Sequence, residues 1–81
     1  MATYYHTHDI GTRATGARLR RGQVRYFGGR RAIILSRSHY RGEWVIGWDE
    51  GTGIVVSSET RRAVALRSWP IVARVRLSAR D

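Results

Sequence analysis

The chain has 81 residues and no cysteine, which predicts one small domain and excludes disulfides and thiolate metal ligands. Its charge is unusual: fifteen basic residues oppose six acids for a net +9, and all fifteen are arginine. No apolar run approaches a bilayer span and no secretory segment opens the chain, so the expectation is an intracellular protein, of cytoplasm or nucleoid, with no membrane role.

An excess of positive charge on this scale favours a polyanion, and nucleic acid is the first candidate. Guanidinium groups bind phosphate through two parallel hydrogen bonds and stack on bases, which ammonium groups do not. Codon usage in a GC-rich genome would also leave lysine out, so the choice of arginine has two accounts.

In chain order, the first 21 residues are expected to form a flexible basic arm, with the β domain over 22–81. The arm is rich in Thr, Gly and Ala, with Ile10 and Leu19 isolated, and a short strand is expected near Tyr4–His6. Past Asp9 it carries Arg13, Arg18, Arg20 and Arg21 with no acid among them, a composition that orders on binding.

From Gly22 the pattern becomes regular. Val24–Phe27 reads as a strand stopped by Gly28-Gly29. Arg31–Ser36 follows with Ala32-Ile33-Ile34-Leu35, a continuous apolar run expected of a central strand covered on both faces. A polar loop, Ser38–Gly42, leads to Glu43–Val56, where Trp44, Ile46 and Trp48 alternate with Val45 and Gly47. Across Asp49–Gly53 the apolar Ile54-Val55-Val56 resumes, so this stretch is expected to be a hairpin. The polar Ser57–Arg62 suits a single helical turn capped by Ser57 or Ser58, and Ala63–Leu66 a short strand. Pro70 interrupts the pattern, and Ile71–Leu77 closes it as a half-buried strand with Arg74 and Arg76 on its wet face. Short strands at roughly ten-residue spacing and no long helix define an all-β fold, a small barrel or sandwich.

The order of these features carries a resemblance. A Gly-Gln-Val-Arg-Tyr strand, an apolar second strand, a Trp-bearing third strand ending in Trp-Asp-Glu-Gly, a Val-rich fourth and a fifth resemble the Src-homology-3-like barrels of the Tudor, chromo-barrel and integrase C-terminal type. The pattern covers Arg21 to Leu66 and implies a five- to six-stranded barrel. It implies no particular function, because such barrels host many. Ile71–Leu77 lies outside it and would pair with the N-terminal segment or with a second copy.

The charges are segregated along the chain: nine arginines and no acid from Ile10 to Gly42, four acids and no base from Glu43 to Thr60, six arginines from Arg61 to Arg80. Three arrangements follow from this. The charges form an ordinary solvated surface, a basic face opposes an acidic pole, or acidic loop meets basic face in head-to-tail association. The expected nucleic-acid contacts are Arg18, Arg20, Arg21, Arg25, Arg30, Arg31, Arg74 and Arg76, with Tyr26 and Tyr40 as stacking aromatics because both lie beside arginine. Trp44, Trp48 and one of Tyr26 or Phe27 are expected in the core. A methyl-lysine or methyl-arginine cage would need several of these rings to converge on a carboxylate such as Asp49.

His6 and His8 would share a strand face, but no further ligand spacing accompanies them, and no metal or cofactor is expected. Ser57, Ser58 and His39 form no catalytic motif, and Gly51-Thr52-Gly53 is too short and too acidic for a phosphate loop, so the chain is not read as an enzyme. The functional expectation is DNA or RNA binding with low sequence specificity. The alternative is an interaction or assembly module, a small virion or complex subunit that self-associates through a sheet edge.

Overall fold

The computed structural model describes residues 2–8 and 18–79, with side chains from 18 to 77. Seven strands and one short helix follow in order: β1 Ala2–His8, β2 Gln23–Phe27, β3 Arg30–Arg37, β4 Glu43–Trp48, β5 Ile54–Val56, β6 Glu59–Arg62, α1 Ala63–Arg67 and β7 Ile71–Ala79. All pairings are antiparallel, and the strands make one sheet in the order β5-β1-β7-β2-β3-β4-β6. The fold is therefore all-β, as the patterning required. The sheet has two free ends, β5 and β6, and is not the closed barrel that was expected.

The centre is β2-β3-β4. Its turns fall at glycines with positive φ, Gly28 and Gly29 before β3 and Gly42 before β4. β3 is covered on both faces, as its unbroken apolar run predicts. Ile33 and Leu35 join Val24, Val55, Ala73 and Val75 in an inner cluster, while Ala32 and Ile34 join Leu19, Ile46, Ala63, Leu66 and Trp69 in an outer one. Ile33, Ile34 and Ile46 have no exposed surface, and truncating any one to alanine should cost roughly 2–5 kcal/mol.

The Glu43–Val56 stretch is not a hairpin. β4 pairs with β3 and β6, whereas β5 pairs with β1. Gly47 explains how both halves still meet: β5 crosses over it so closely that an added Cβ would strike the Val55 side chain and lie 2.7 Å from the Val56 carbonyl oxygen. The sheet thus curls around the inner cluster, and its β5 end meets β4 there without a ladder between them.

Two assignments around residue 60 are exchanged. Glu59–Arg62 is a strand and Ala63–Arg67 a helix, the reverse of the expected turn and strand. Alanine and leucine favour helix over strand, and the polar segment is held extended by its ladder to β4, with Glu43 opposite Arg62 and Ile46 opposite Glu59. α1 buries Ala63 and Leu66 against the outer face.

Of the arm expected over 1–21, residues 2–8 belong to the sheet instead, in the strand expected near Tyr4–His6. Ala2–His8 is a strand within the sheet, between β5 and β7, so β7 takes the N-terminal segment of its own chain as partner. Residues 9–17, with Arg13, lie outside the described residues. The chain is anchored again at Leu19, which is buried in the outer cluster, and at Gly22, whose N–H donates to the Ile34 carbonyl and whose carbonyl accepts from Val75 N–H.

Candidate nucleic-acid interface

The described arginines divide into three groups by what surrounds them. The first is a single buried residue. Arg25 was expected on the surface, but it has no exposed area and cannot reach a phosphate. It lies on the outer face of β2 beneath the turn that follows α1. Its Nη1 donates to the Trp69 carbonyl oxygen at 2.9 Å and to that of Arg67 at 3.5 Å, and its Nε and Nη2 donate to Gln23 Oε1 at 3.3 and 3.1 Å. Gln23 Nε2 in turn donates to the Arg18 carbonyl at 2.8 Å. Burial lowers the Arg25 pKa from its ordinary value, and the neighbouring Arg67 charge acts in the same direction. Arg25 therefore ties the entry segment, β2 and the end of α1 together.

The second group is neutralised. Arg30 Nη2 lies 3.3 Å from Glu50 Oε1, Arg31 Nε lies 4.0 Å from Asp49 Oδ2, and Arg61 Nε donates to Glu59 Oε2 at 2.6 Å. The acidic stretch therefore forms no opposite pole. The Gly28-Gly29 turn delivers Arg30 and Arg31 to the loop after β4, where Asp49 N–H also donates to the Arg31 carbonyl at 2.8 Å. Charges that are segregated in sequence are interleaved in space.

Arginines of this group and Arg37 also sit on tryptophan. The Arg30 guanidinium lies 4.1 Å from the Trp48 ring centroid, Arg37 5.5 Å from Trp44 and Arg61 5.7 Å from Trp69. Trp48 Nε1 donates to Glu59 Oε1 at 2.8 Å. Glu59 is held below its ordinary pKa first by that bond, then by the Arg61 bond, with burial opposing and the Arg61 and Arg30 charges adding. Trp44 and Trp48, expected in the core, are half-buried at the margin of the outer cluster, Trp69 is the buried ring, and the protein's own guanidiniums stand over all three. Neither Tyr26 nor Phe27 enters the core, where one of them was expected: both are exposed, at 44% and 48%, which for Tyr26 agrees with its place among the expected site residues.

The third group is exposed and, among the described residues, has no carboxylate partner in an ion pair: Arg18, Arg20, Arg21, Arg37, Arg41, Arg62, Arg67, Arg74 and Arg76. Arg21 Nη1 donates to the Leu35 carbonyl at 3.3 Å. Arg18, Arg37, Arg41 and Arg67 come together around a groove of about 420 Å³, whose walls include Tyr40 and Trp44 and whose one acid among the described residues is Glu43. A second depression on the far side of Arg41 and Arg67 adds Arg62. Tyr40 is 65% exposed in the loop between β3 and β4, where its ring meets His39 edge-on at 6.3 Å.

Of the expected site residues, the groove brings together Arg18 and Tyr40. Arg74 and Arg76 project from β7 as a separate stripe, opposite His8 and His6 of β1 in register. The His6 and His8 side chains lie outside the described residues. Arg37, Arg41 and Arg67 were not selected from the sequence. The first two flank Tyr40, Arg37 at the end of β3 and Arg41 in the loop after it, which was a usable signal; Arg67 reaches the groove only because α1 lies on the outer face. Comparison with protein-family models, with curated proteins and with solved structures gives no match to this chain.

Proposed function

We propose that this protein binds the phosphate backbone of DNA or RNA with low sequence specificity, through the groove of Arg18, Arg37, Arg41 and Arg67. The observation that carries this reading is the composition of that groove: four guanidiniums converge there with one carboxylate, while the acids of the neighbouring loops are engaged elsewhere. Each guanidinium offers a fork of donors to phosphate oxygens, and each contact releases counterions into solution. Arg62, Arg74 and Arg76 extend the positive surface beyond the groove. The resemblance to Src-homology-3-like modules is part of this proposal only as an architecture on which such a surface is carried.

The test is titration of mixed-sequence DNA and RNA across a range of salt concentrations. Log affinity should fall linearly with log salt, and Arg37→Ala with Arg41→Ala should reduce the slope by about 1.8 on duplex DNA and about 1.4 on a single strand, the sum for two phosphate contacts. Both substituted residues are exposed, so the thermal transition should not move. Undetectable binding to either polymer at low ionic strength would end the proposal.

A further inference from the structure

The outer face carries a second feature that phosphate binding does not use. Phe27 stacks on Trp69 with ring centroids 4.4 Å apart and planes within 16°, and Trp69 is followed by Trp48 at 6.2 Å and 26°. The row is graded in exposure. Trp69 is buried at 5%, while Phe27 at its end is 48% exposed although one ring face lies against Trp69. An aromatic ring half in water is an unsatisfied apolar surface, and this one stands at the tip of a hairpin, beside Gly28-Gly29. The turn itself is Gly28-Gly29 and has no side chain with which to cover the ring. Arg30, opposite Phe27 in the ladder, holds its guanidinium over Trp48, at the other end of the row.

We propose that the outward face of Phe27 is a stacking platform for an unpaired base, which makes this protein prefer single-stranded nucleic acid over duplex. The inference rests on the phosphate-binding reading, because stacking on one ring needs a charged surface to hold the strand. An unpaired base offers a π-face to the ring and continues the Phe27–Trp69–Trp48 stack by one layer. In a duplex both faces of each internal base are already occupied by neighbours, so the platform adds nothing. The contact is indifferent to base identity, which agrees with low sequence specificity. Arg30 is shared between Glu50 and the Trp48 ring, and a phosphate of the bound strand would compete with Glu50 for it.

The experiment compares a single-stranded oligonucleotide, as DNA and as RNA, with the duplex of the same sequence. It uses the whole chain and the variants Phe27→Leu and Phe27→Trp. Leucine keeps an apolar cover on Trp69 but removes the π-face, and tryptophan restores it. The unsubstituted protein should bind the single strand more tightly than the duplex. Phe27→Leu should lose roughly tenfold for the single strand and nothing for the duplex, and Phe27→Trp should regain it. Equal affinity of Phe27→Leu and the unsubstituted protein for the single strand overturns the platform, as does tighter binding of duplex. Should duplex and single strand bind with the expected salt slope and Phe27→Leu have no effect, the platform alone fails. Should neither polymer bind, the phosphate-binding reading fails and takes the platform with it.

Discussion

A guanidinium taken out of water must recover its hydrogen bonds inside the protein, and Arg25 does so by joining parts of the chain that are distant in sequence. Its acceptors at Gln23 and Trp69 lie 2 and 44 residues away. Replacement by alanine would leave the Trp69 carbonyl and Gln23 Oε1 without this donor and open a void under the turn, so Arg25→Ala should destabilise by roughly 2–4 kcal/mol. Arg25→Lys should recover little, because an ammonium cannot span both acceptors with a planar fork. Urea unfolding of both variants beside Arg37→Ala, which should unfold like the unsubstituted protein, measures this; a wild-type midpoint for Arg25→Ala would show the network to be dispensable. In sequence, Arg25 reads as a solvent-facing phosphate contact, yet it lies with Gln23 on the outer face of β2. Whether that face meets solvent or is covered depends on Trp69 and Pro70, whose approach no local pattern encodes.

At the level of elements, local patterns were legible where one strand or turn carried its own signal. The apolar run of β3, the arginine stripe of β7 and the glycine turns form as read. By contrast β4, whose alternation suggests one buried face, is covered on both, by the inner cluster at Val45 and the outer at Ile46. Partners were harder. Ile54–Val56 looks like the return strand of a hairpin, yet its ladder is with β1, because strand pairing is settled by the whole sheet and not by proximity in the chain. Ala63–Arg67 is too short for any period to separate helix from strand, and packing of Ala63 and Leu66 on the outer face decides it. Gly47 is the residue on which the crossing of β5 over β4 depends. Its backbone is ordinary extended strand, so the reason for glycine is space and not conformation. Gly47→Ala would push Val55 and the backbone at Val56 away from β4, and should cost roughly 1–3 kcal/mol in chemical unfolding. No change in stability would mean that β5 can shift freely, contrary to the packing of Val55 in the inner cluster.

Across the whole molecule, the net charge was legible and its distribution was not. The Asp49-Glu50 pair looks like an acidic pole in sequence but meets Arg30 and Arg31 across two turns, and the uncompensated charge gathers around Arg18, Arg37, Arg41 and Arg67 instead. The same assembly question governs the edges. One end of the sheet is β6, four residues long and bearing Arg61 and Arg62, charged in the way that discourages strand addition. The other end is protected differently, since β1 fills the gap between β5 and β7 and leaves only three-residue β5 outermost. Removing residues 2–8 would uncover the long β7 as an edge, with Val75 and Leu77 pointing into a cluster that has lost its neighbouring strand. The truncated protein should therefore have a lower urea midpoint and associate with rising concentration in light scattering, whereas a dispensable arm would leave both unchanged. Because the groove arginines lie on β3, the β3–β4 loop, α1 and the segment before β2, the fraction that stays folded should keep its affinity for nucleic acid. Loss of binding without loss of stability would instead place the strand itself at the interface.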